Sequence, residues 1–438
     1  MAKVCVIGGG AAGLMASYAA AKNGHEVVLI EQNEKLGKKI YITGKGRCNF
    51  TNDVPPQEFL QNVVRGEKFL RGAIYTFSPQ NVIEMLENYG LSVKTERGNR
   101  VFPVSDHASD VTKTLEKACK NAGVLVKLGE KALKIKTTSQ DIIPMRGIGC
   151  CATQGIIPMP HIVGVETDKD CYVCDYVIVA TGGISYPTTG SRGDGFAFAR
   201  ALGLKVTDLK CGLCGLNLKG NLFRDLQGLS LKNVSLTARL GEKVLYTQFG
   251  EMLFTHFGVS GPIVLSLSSL INRQPVSQIT LSVDLKPALT EEMLDKRLLR
   301  DFEKYKNKQL INALVDLLPT KLIAVVLKVA NLDEKKNVNI LSKAERLALV
   351  KTIKDLSFKV DSLRGFEEAI ITSGGVDLGE INPKTMESKK IKGLKFCGEV
   401  LDADAFTGGF NMQIAFSTGY VAGNSIKGEK TSVAQTLD

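Results

Sequence analysis

The apolar residues of this chain form two different patterns, unbroken runs and strict alternation with polar residues, and each pattern predicts a different kind of sheet. Near the start, residues 4–7 and 27–30 are short unbroken apolar runs, separated by a helix-like stretch over about 11–22. Such runs are typical of strands buried on both faces of a parallel sheet. The order strand, helix, strand therefore predicts a βαβ unit. Run 176–180 and a short run before Gly398 predict further strands of that sheet.

The middle of the chain has another pattern. Four segments alternate between apolar and polar side chains, which is typical of antiparallel strands with one buried face: 216–218, 234–236, 244–249 and 279–285. From 290 to 356 the apolar spacing becomes helical. We therefore predict an α/β fold in three parts, namely a discontinuous nucleotide-binding domain (1–203 and 365–438), an antiparallel β domain (204–289) and a helical domain (290–364).

Three glycines follow the first predicted strand in the spacing G-x-G-x-x-G. Gly8 allows a tight turn, Gly10 lets a pyrophosphate approach the backbone, and Gly13 lets the helix pack closely on the strand. The helix N-terminus directs its amides at the phosphates. Glu31 ends the second strand, where a carboxylate can bind an adenosine ribose. Because these features occur in one unit, we expect a dinucleotide cofactor. A glycine-rich turn of some other α/β protein is the weaker alternative.

Glycine-rich loops recur in three other places. Loop 42–49 contains two glycines together with Lys, Arg and Asn, which is more than a simple connector needs. Loops of this kind carry binding groups on a rigid scaffold. Run 176–180 leads into a Thr-Gly-Gly turn, the ending expected of a strand that reaches a cofactor crevice. Near the C-terminus, a Thr-Gly-Gly turn precedes a predicted helix over 411–423, whose N-terminus carries a partial positive charge.

The formal net charge of +11 invites comparison with nucleic-acid-binding proteins. Much of the excess lies in 286–364, with 17 Lys and Arg against 11 Asp and Glu. These lysines have solvent-face spacing and lack the interleaved aromatics of a single-strand binder. We therefore expect a solvated basic face rather than a nucleic-acid partner, although an anionic substrate could use the field. The start does not resemble a signal peptide and no apolar run is long enough to span a bilayer, so we expect a cytoplasmic protein.

The ten cysteines are expected to be thiols in a cytoplasmic chain. Cys171-x-x-Cys174 and Cys211-x-x-Cys214 have the spacing of zinc half-sites. However, a strand predicted over 172–180 puts side chains three apart on opposite faces, so we predict no metal site. Segment 137–161, which contains the vicinal pair Cys150-Cys151, is interpreted as an inserted loop without an assigned role.

These motifs together resemble the YhiN/BaiN-like FAD-binding flavoproteins, a family with aminoacetone-oxidase-type and 3-dehydro-bile-acid-reductase-type members. The resemblance rests on five stretches that cover most of the chain: 8–13, 42–52, 180–195, 250–262 and 374–423. It implies a discontinuous, glutathione-reductase-like FAD domain interrupted by a β-barrel-like domain and a helical domain. Segment 137–161 departs from the family in its length, and Leu213-Cys214-Gly215-Leu216 replaces a stretch that tends to contain proline.

The resemblance also implies which residues contact FAD. The AMP half would lie on the first βαβ unit, the flavin along loop 42–49 and the turn after 180, and the ribityl chain and ring at the C-terminal glycines. The residues implied are Gly8, Gly10, Ala12, Gly13, Glu31, Gln32, Lys39, Gly44, Gly46, Arg47, Cys48, Asn49, Thr181, Gly182, Gly183, Gly398, Glu399, Gly408, Gly409 and Asn411.

Three residues are candidates for catalysis, Tyr186, His256 and Thr407, and Phe410 is a candidate to line the pocket. His256 could donate a proton, but a structural role is the favoured interpretation for it. FAD would carry the hydride step through N5 of its ring. No second G-x-G-x-x-G unit is present. Either NADH or NADPH docks transiently in the substrate crevice, or the substrate and oxygen are the only partners of the flavin.

Three functions remain open. The first is a reductase that saturates a C=C conjugated to a ketone, on a 3-oxo bile-acid or steroid-like substrate. The second is an oxygen-using amine oxidase of the aminoacetone type. The third is a non-enzymatic redox sensor or a nucleic-acid-associated flavoprotein.

Overall fold

The computed structural model describes residues 1–138 and 159–427. The chain divides into two compact units, Met1–Lys210 with Ile371–Asp438, and Cys211–Ile370. The boundaries predicted at 203, 289 and 364 stay predictions. Most of the predicted insertion 137–161, with Cys150 and Cys151, lies outside the described residues.

The first unit begins with these elements: β1 (Lys3–Ile7), α1 (Ala11–Lys22), β2 (Glu26–Glu31), β3 (Thr51–Asn52), α2 (Pro56–Leu60), β4 (Val63–Arg65), α3 (Glu67–Thr76), α4 (Pro79–Asn88), β5 (Val93–Glu96), β6 (Arg100–Pro103), α5 (Ala108–Asn121), β7 (Leu125–Leu128), β8 (Ala132–Thr137), β9 (Ile162–Thr167), β10 (Cys171–Val173), β11 (Tyr176–Val179) and α6 (Asp194–Ala201). A short strand, β12 (Lys210–Gly212), spans the boundary between the units.

The second unit contains these elements: β13 (Leu216–Leu218), β14 (Ser230–Leu240), β15 (Lys243–Phe254), β16 (Gly258–Ser260), α7 (Pro262–Ile271), β17 (Ile279–Asp284), α8 (Glu291–Lys304), α9 (Leu310–Ala313), α10 (Thr320–Val329), α11 (Lys343–Lys354) and β18 (Leu356–Leu363). The chain then returns to the first unit with β19 (Ile371–Ser373), β20 (Leu394–Phe396), β21 (Asp404–Ala405) and α12 (Phe410–Asn424).

A five-stranded parallel sheet in the order β20-β11-β1-β2-β7 forms the centre of the first unit. Val6 on β1 lies between Leu29 on β2 and Ile178 on β11, and all three side chains are fully buried. The continuous apolar runs thus became buried parallel strands, as predicted. Because β20 comes from the C-terminal part of the chain, the unit is built from both chain ends.

Helices α1 and α12 pack closely on each other in the same unit. A Cβ on Gly419 would lie 2.4 Å from the carbonyl oxygen of Ala12, so only glycine allows this approach. The Thr418 hydroxyl accepts a hydrogen bond of 2.9 Å from the Gly398 amide. The first and last helices of the unit are therefore fixed as a pair, with both N-termini built into glycine turns.

The second unit contains a closed six-stranded barrel, in the order β13-β16-β15-β14-β17-β18. The four alternating segments of the sequence supply four of its strands, β13, β14, β15 and β17. The other two are β16, which has no counterpart among those segments, and β18, which lies inside the range predicted as the helical domain (290–364). The burial of β18 alternates strictly from Leu356 to Asp361, so it meets the rule for a half-buried strand, but it follows α11 directly.

Two local features can be compared with the sequence pattern. Ser78 caps α4, accepting from the Asn81 amide while the Asn81 side chain accepts from the Ser78 amide, an arrangement that a Ser-Pro pair at a helix start favours. The single strand predicted over 172–180 is wrong, because β10 and β11 belong to different sheets and the chain turns between them. The Cys171 side chain is exposed and that of Cys174 is buried.

None of the helices described within 1–138 and 159–427 is long and apolar enough to cross a membrane.

Candidate functional site

The turn between β1 and α1 has the geometry of a phosphate cradle. Gly8 has a φ of 104°, which favours glycine, and a Cβ on Gly13 would lie 1.8 Å from the Gly8 carbonyl oxygen. At Gly10 a Cβ would meet no atom within 4 Å, so the space over this residue is open. Because α1 begins directly after this turn, with Gly10 as its N-cap, the unpaired amides of its first turn lie beside that open space.

Glu31 lies at the end of β2, where its carboxylate fixes the same turn. Its Oε2 accepts from the Gly9 amide at 2.7 Å, and its Oε1 accepts from the Asn33 amide and side chain at 2.8 and 2.7 Å. The residue is only 8% exposed. The neighbouring Gln32 donates to the Gly190 carbonyl at 2.7 Å. Both predicted residues thus stabilise backbone around the cradle.

Lys39 and Glu399, each predicted separately as a cofactor residue, form an ion pair of 2.6 Å. Lys39 also donates to the Ser185 hydroxyl at 2.6 Å. The other carboxylate oxygen of Glu399 accepts from the Ser185 hydroxyl at 2.9 Å and from the Thr372 amide at 2.8 Å. This network leaves no room for a Cβ at Gly183, which would lie 2.2 Å from the Thr372 hydroxyl. The network thus joins three places in the fold, namely Ser185 in the turn after β11, Thr372 on β19 and Glu399 in the turn after β20.

Loop 42–49 is fastened by the Arg47 side chain. Arg47 donates to Asp106 from Nε at 2.8 Å and from Nη2 at 2.7 Å, it pairs with Glu96, and its guanidinium lies 4.3 Å from the ring centre of Phe102. The hydrogen bonds from Arg47 hold the pKa of Glu96 below its usual value. Those from Lys94 and then Arg47 lower the pKa of Asp106. The side chain predicted to pack against the cofactor binds the loop to β5 and β6.

Cys48 and Asn49 follow in the same loop. Cys48 has a φ of 59°, an uncommon backbone for a residue with a side chain, and its thiol is fully buried. Burial raises the pKa of this thiol to about 12. Gly44 packs on the next residue, since a Cβ there would lie 3.0 Å from the Asn49 amide nitrogen. The predicted residues of this loop therefore shape its backbone closely around Asn49.

The N-terminus of α12 is built by Gly408 and Gly409. Gly409 has a φ of 98°, and a Cβ there would lie 2.3 Å from the carbonyl oxygen of Thr51. Asn52 donates to the Gly408 carbonyl at 3.0 Å. The segment after loop 42–49 therefore lies directly against the start of α12, whose first amides have no partner within the helix.

The Asn411 side chain forms hydrogen bonds with the backbone of the segment that leads into α12. Its Nδ2 donates to the Ala405 carbonyl at 2.7 Å, and its Oδ1 accepts from the Ala405 amide at 2.9 Å. Thr407 is half-buried in the loop between these groups. Phe410, proposed from sequence to line the pocket, is buried and packs edge-on against Phe59 at 5.1 Å.

Tyr186 lies in the turn after β11, half-buried, with φ 51° and ψ 62°. Left-handed backbone at a bulky residue is strained and tends to occur at functional sites. The strain is held by the surrounding structure, since the Tyr186 carbonyl accepts from the Thr189 amide at 2.9 Å and from its hydroxyl at 2.8 Å.

His256 belongs to the second unit and lies in the exposed turn between β15 and β16. Its ring contacts Phe257 edge-on at 5.1 Å, and the Arg364 guanidinium lies 4.5 Å from the Phe257 ring. Arg364 forms an ion pair with Glu368. The Arg364 hydrogen bonds, with a smaller contribution from His256, lower the pKa of Glu368. Arg364 and Glu368 are thus charged groups near His256 that could not be predicted from its position in the sequence.

Two buried polar atoms among the predicted cofactor residues test whether FAD fits this site. Asn49 Oδ1 and Thr181 Oγ1 are both buried without a hydrogen-bond partner in the described part of the chain. Buried polar atoms without partners are costly unless something else binds them. Together with the open space at Gly10 and the two glycine-built helix N-termini, they fit a dinucleotide whose far half carries hydrogen-bonding groups.

Sequence reasoning missed several polar residues of the first unit. Ser185 bonds to both Lys39 and Glu399, and the Thr372 amide donates to Glu399, as described above. Asp404 is 1% exposed and accepts from the Ser373 hydroxyl at 2.6 Å and from Arg65 at 3.2 Å. Burial raises the pKa of this carboxyl. Apart from the position of Asp404 shortly before the Thr-Gly-Gly motif, nothing in the sequence indicates that it is a buried site residue.

Within residues 1–138 and 159–427, no group of three or more His, Cys, Asp and Glu side chains is arranged to hold a metal ion.

The family model described as "HI0933-like protein Rossmann domain" matches residues 2–425. The 3-dehydro-bile acid delta(4,6)-reductase of Clostridium scindens is 29% identical over 431 residues, which cover 97% of this chain and 99% of that protein. The ribosomal RNA dihydrouridine synthase of Escherichia coli K12 is 30% identical over 437 residues, which cover 98% of both chains.

A likeness among solved structures concerns the fold alone. The 3-ketosteroid-delta4-(5alpha)-dehydrogenase from Rhodococcus jostii RHA1 superposes with a TM-score of 0.52 at 16% identity, covering 97% of this chain and 96% of that chain. This confirms the predicted α/β FAD-binding Rossmann fold. Taken with the family match over nearly the whole chain, it means that the protein belongs to the HI0933-like (YhiN/BaiN) family of FAD-dependent flavoprotein oxidoreductases.

Proposed function

We propose that the protein uses FAD, with NADH or NADPH as reductant, to saturate a C=C bond conjugated to a carbonyl. The observation that carries this proposal is the pair of relatives at about equal identity. One name describes reduction of double bonds that, in a 3-oxo bile acid, are conjugated to the ketone. The other describes formation of dihydrouridine, in which a double bond conjugated to a ring carbonyl is lost. Two unlike substrates thus share one reaction, and both names favour reduction over oxygen-dependent amine oxidation.

The first unit would hold FAD along the glycine turns described above. The open space over Gly10 and the first amides of α1 would take the pyrophosphate, and Glu31 would take the adenosine ribose. Lys39 and Glu399 would contact the middle of the cofactor. The N-terminus of α12 would face the C2 oxygen of the ring, where its partial positive charge favours the anionic reduced form. When bound, FAD supplies a hydride at N5.

The chain itself must orient the substrate and supply a proton. A conjugated carbonyl that receives a hydride at its β-carbon needs a proton at its α-carbon, and general acids of this kind contribute about 10²–10⁴-fold in rate. Tyr186 and Thr407 of the first unit are the residues proposed for substrate contact and proton donation. His256, in the second unit, stays a sequence-based candidate for the proton donor. The strained backbone of Tyr186 supports its place among them.

We propose a 3-oxo bile-acid or steroid-like substrate, which the Clostridium scindens relative supports. A uracil base in RNA is the second candidate, supported by the Escherichia coli and Haemophilus influenzae dihydrouridine synthases and by the net charge of +11. The basic charge suits either substrate, since one carries a carboxylate and the other phosphates. Because NADH and NADPH are intracellular, the proposal also places the protein in the cytoplasm.

Product analysis tests the proposal and separates the two substrates. The FAD-loaded protein is incubated without oxygen with NADH or NADPH and either a 4-en-3-one bile acid or ribosomal RNA lacking dihydrouridine. We expect the bile acid to gain two hydrogens by mass spectrometry. Dihydrouridine in the digested RNA, with binding that falls steeply with salt, would assign the second substrate instead. Peroxide formation from small aminoketones in air, with neither substrate reduced, would contradict the proposal and favour the amine oxidase.

A further inference from the structure

The amide side chain of Asn49 has an atom that the protein leaves unsatisfied. Its Oδ1 is buried and has no hydrogen-bond partner in the described part of the chain. A carbonyl oxygen in that position costs stability unless a donor reaches it. The atom therefore points to a ligand that brings an N–H or O–H group to this loop.

The loop around Asn49 is held from both sides, so the position of the amide is well defined. On one side, Arg47 is bonded to Glu96 and Asp106. On the other, Phe50 donates its amide to the Val101 carbonyl at 3.1 Å, and Asn52 donates to Gly408. A side chain on such a rigid support is suited to recognise one ligand edge.

Asn49 lies beside the start of α12. It is two residues from Thr51, whose carbonyl oxygen contacts Gly409 at the helix N-terminus. In the proposed function that N-terminus faces the C2 oxygen of the isoalloxazine. The pyrimidine edge of the ring runs from N1 through C2=O to N3–H and then to C4=O, so the group next to the C2 oxygen is a donor.

We propose that Asn49 Oδ1 accepts the hydrogen bond of flavin N3–H, while Asn49 Nδ2 donates to an adjoining ring carbonyl. A primary amide carries an acceptor and a donor side by side, which matches a donor flanked by acceptors. This assignment rests on the proposed function, because it requires FAD in the first unit with its ring at α12. It makes Asn49 the residue that distinguishes a ring bearing N3–H from one that lacks it.

The test uses FAD and 3-methyl-FAD, in which a methyl group replaces the N3 hydrogen. The apoprotein is titrated with each flavin, and the dissociation constant is measured from flavin fluorescence. For the wild-type protein we expect 3-methyl-FAD to bind at least tenfold more weakly, because it leaves Oδ1 unpaired and adds bulk. In Asn49→Ala the acceptor is gone and space is made, so the two flavins should bind within threefold of each other.

Two further variants control the experiment. Asn49→Asp keeps an acceptor and should keep the tenfold preference for FAD. Among the predicted cofactor residues, Thr181 carries the second buried oxygen without a partner in the described part of the chain. Thr181→Val removes it and should preserve the preference, whatever it does to overall affinity. An Asn49→Ala protein that retains the full preference would overturn the assignment. A wild-type protein that binds both flavins equally would also overturn it, with FAD binding intact. A wild-type protein that binds neither contradicts the proposed function and this assignment together.

Discussion

Lys395 on β20 is expected to make the stability of the first unit rise with pH above neutrality. The side chain is fully buried, and its ammonium donates to the Thr385 carbonyl at 2.9 Å and the Ser425 hydroxyl at 2.8 Å. Burial lowers its pKa from 10.5 to about 8, against the opposing attraction of Glu387. That difference corresponds to about 3 kcal/mol of folding free energy.

The direction follows from where the proton is bound. Below pH 8 the lysine is charged in both states, and the folded protein carries the full cost of burying the charge. Between pH 8 and 10.5 the unfolded chain holds the proton and the folded chain does not, so stability rises with pH. Above 10.5 both states are neutral and the cost is gone.

Lys395→Met removes the charge while keeping a side chain of similar length. The lost cost of about 3 kcal/mol is offset by two lost hydrogen bonds of about 1 kcal/mol each, so we expect a net gain of about 1 kcal/mol at pH 7. Relative to wild type, that gain should fall by about 2 kcal/mol between pH 7 and pH 9.5 and so become a loss.

Urea unfolding of the FAD-saturated protein, followed by circular dichroism at both pH values, measures this change. Lys205→Met is the matched control, since Lys205 is exposed and its pKa is raised by the hydrogen bond with Asp377. It should not reproduce the fall between the two pH values. A Lys395→Met variant whose advantage is independent of pH, or grows with pH, would refute the reasoning.

Three further predictions concern the cofactor loops and the second unit. Gly409→Ala, which puts a methyl group 2.3 Å from the Thr51 carbonyl at a positive φ, should weaken FAD binding at least tenfold in fluorescence titrations. Gly24→Ala, at a positive φ with open space, is its control, and equal affinities would contradict a role for the α12 turn. Arg47→Lys cannot bridge Glu96 and Asp106 as a planar fork does, so FAD release should accelerate about fivefold in stopped-flow dilution. The control Arg97→Lys, at an exposed side chain, should release FAD at the wild-type rate. An unchanged rate in Arg47→Lys would show that the contacts of Arg47 with Glu96 and Asp106 do not affect FAD binding. Ser342→Ala removes the cap of α11, in which the side chains of Ser342 and Glu345 each accept from the other's backbone amide. The free energy of unfolding in urea should fall by about 1 kcal/mol. An unchanged midpoint would mean that α11 does not unfold with the second unit.

The parts of the fold that depend on local patterns were predictable. Helix α1 has the bounds that the glycine motif and apolar spacing indicate, Ala11–Lys22. The parallel strands follow from continuous apolar runs, and the cap at Ser78 follows from the Ser-Pro pair. Strand β18 was missed because a pattern of period two directly after a helix was read as part of the helical stretch. The strand over 172–180 failed because the turn at 174–175 contains neither glycine nor proline.

Side-chain partners far apart in sequence could not be predicted. Lys39 and Glu399 are 360 positions apart, and nothing in either motif indicates that they form an ion pair. Arg47 reaches Glu96 and Asp106 across 49 and 59 positions. A single sequence indicates the loops on which such residues lie. Only the folded structure shows which side chains bind each other and which, like Asn49 through its Oδ1, have an atom without a partner in the described part of the chain.

The most direct test of the account is an anaerobic titration followed by the visible absorbance of the bound flavin. We predict that the purified, FAD-loaded protein is bleached by NADH or NADPH and that the oxidised spectrum returns when a carbonyl-conjugated alkene, a 4-en-3-one or uracil in RNA, is added without oxygen. A protein that takes up no FAD, or a flavin that neither nicotinamide reduces, would contradict the central claim.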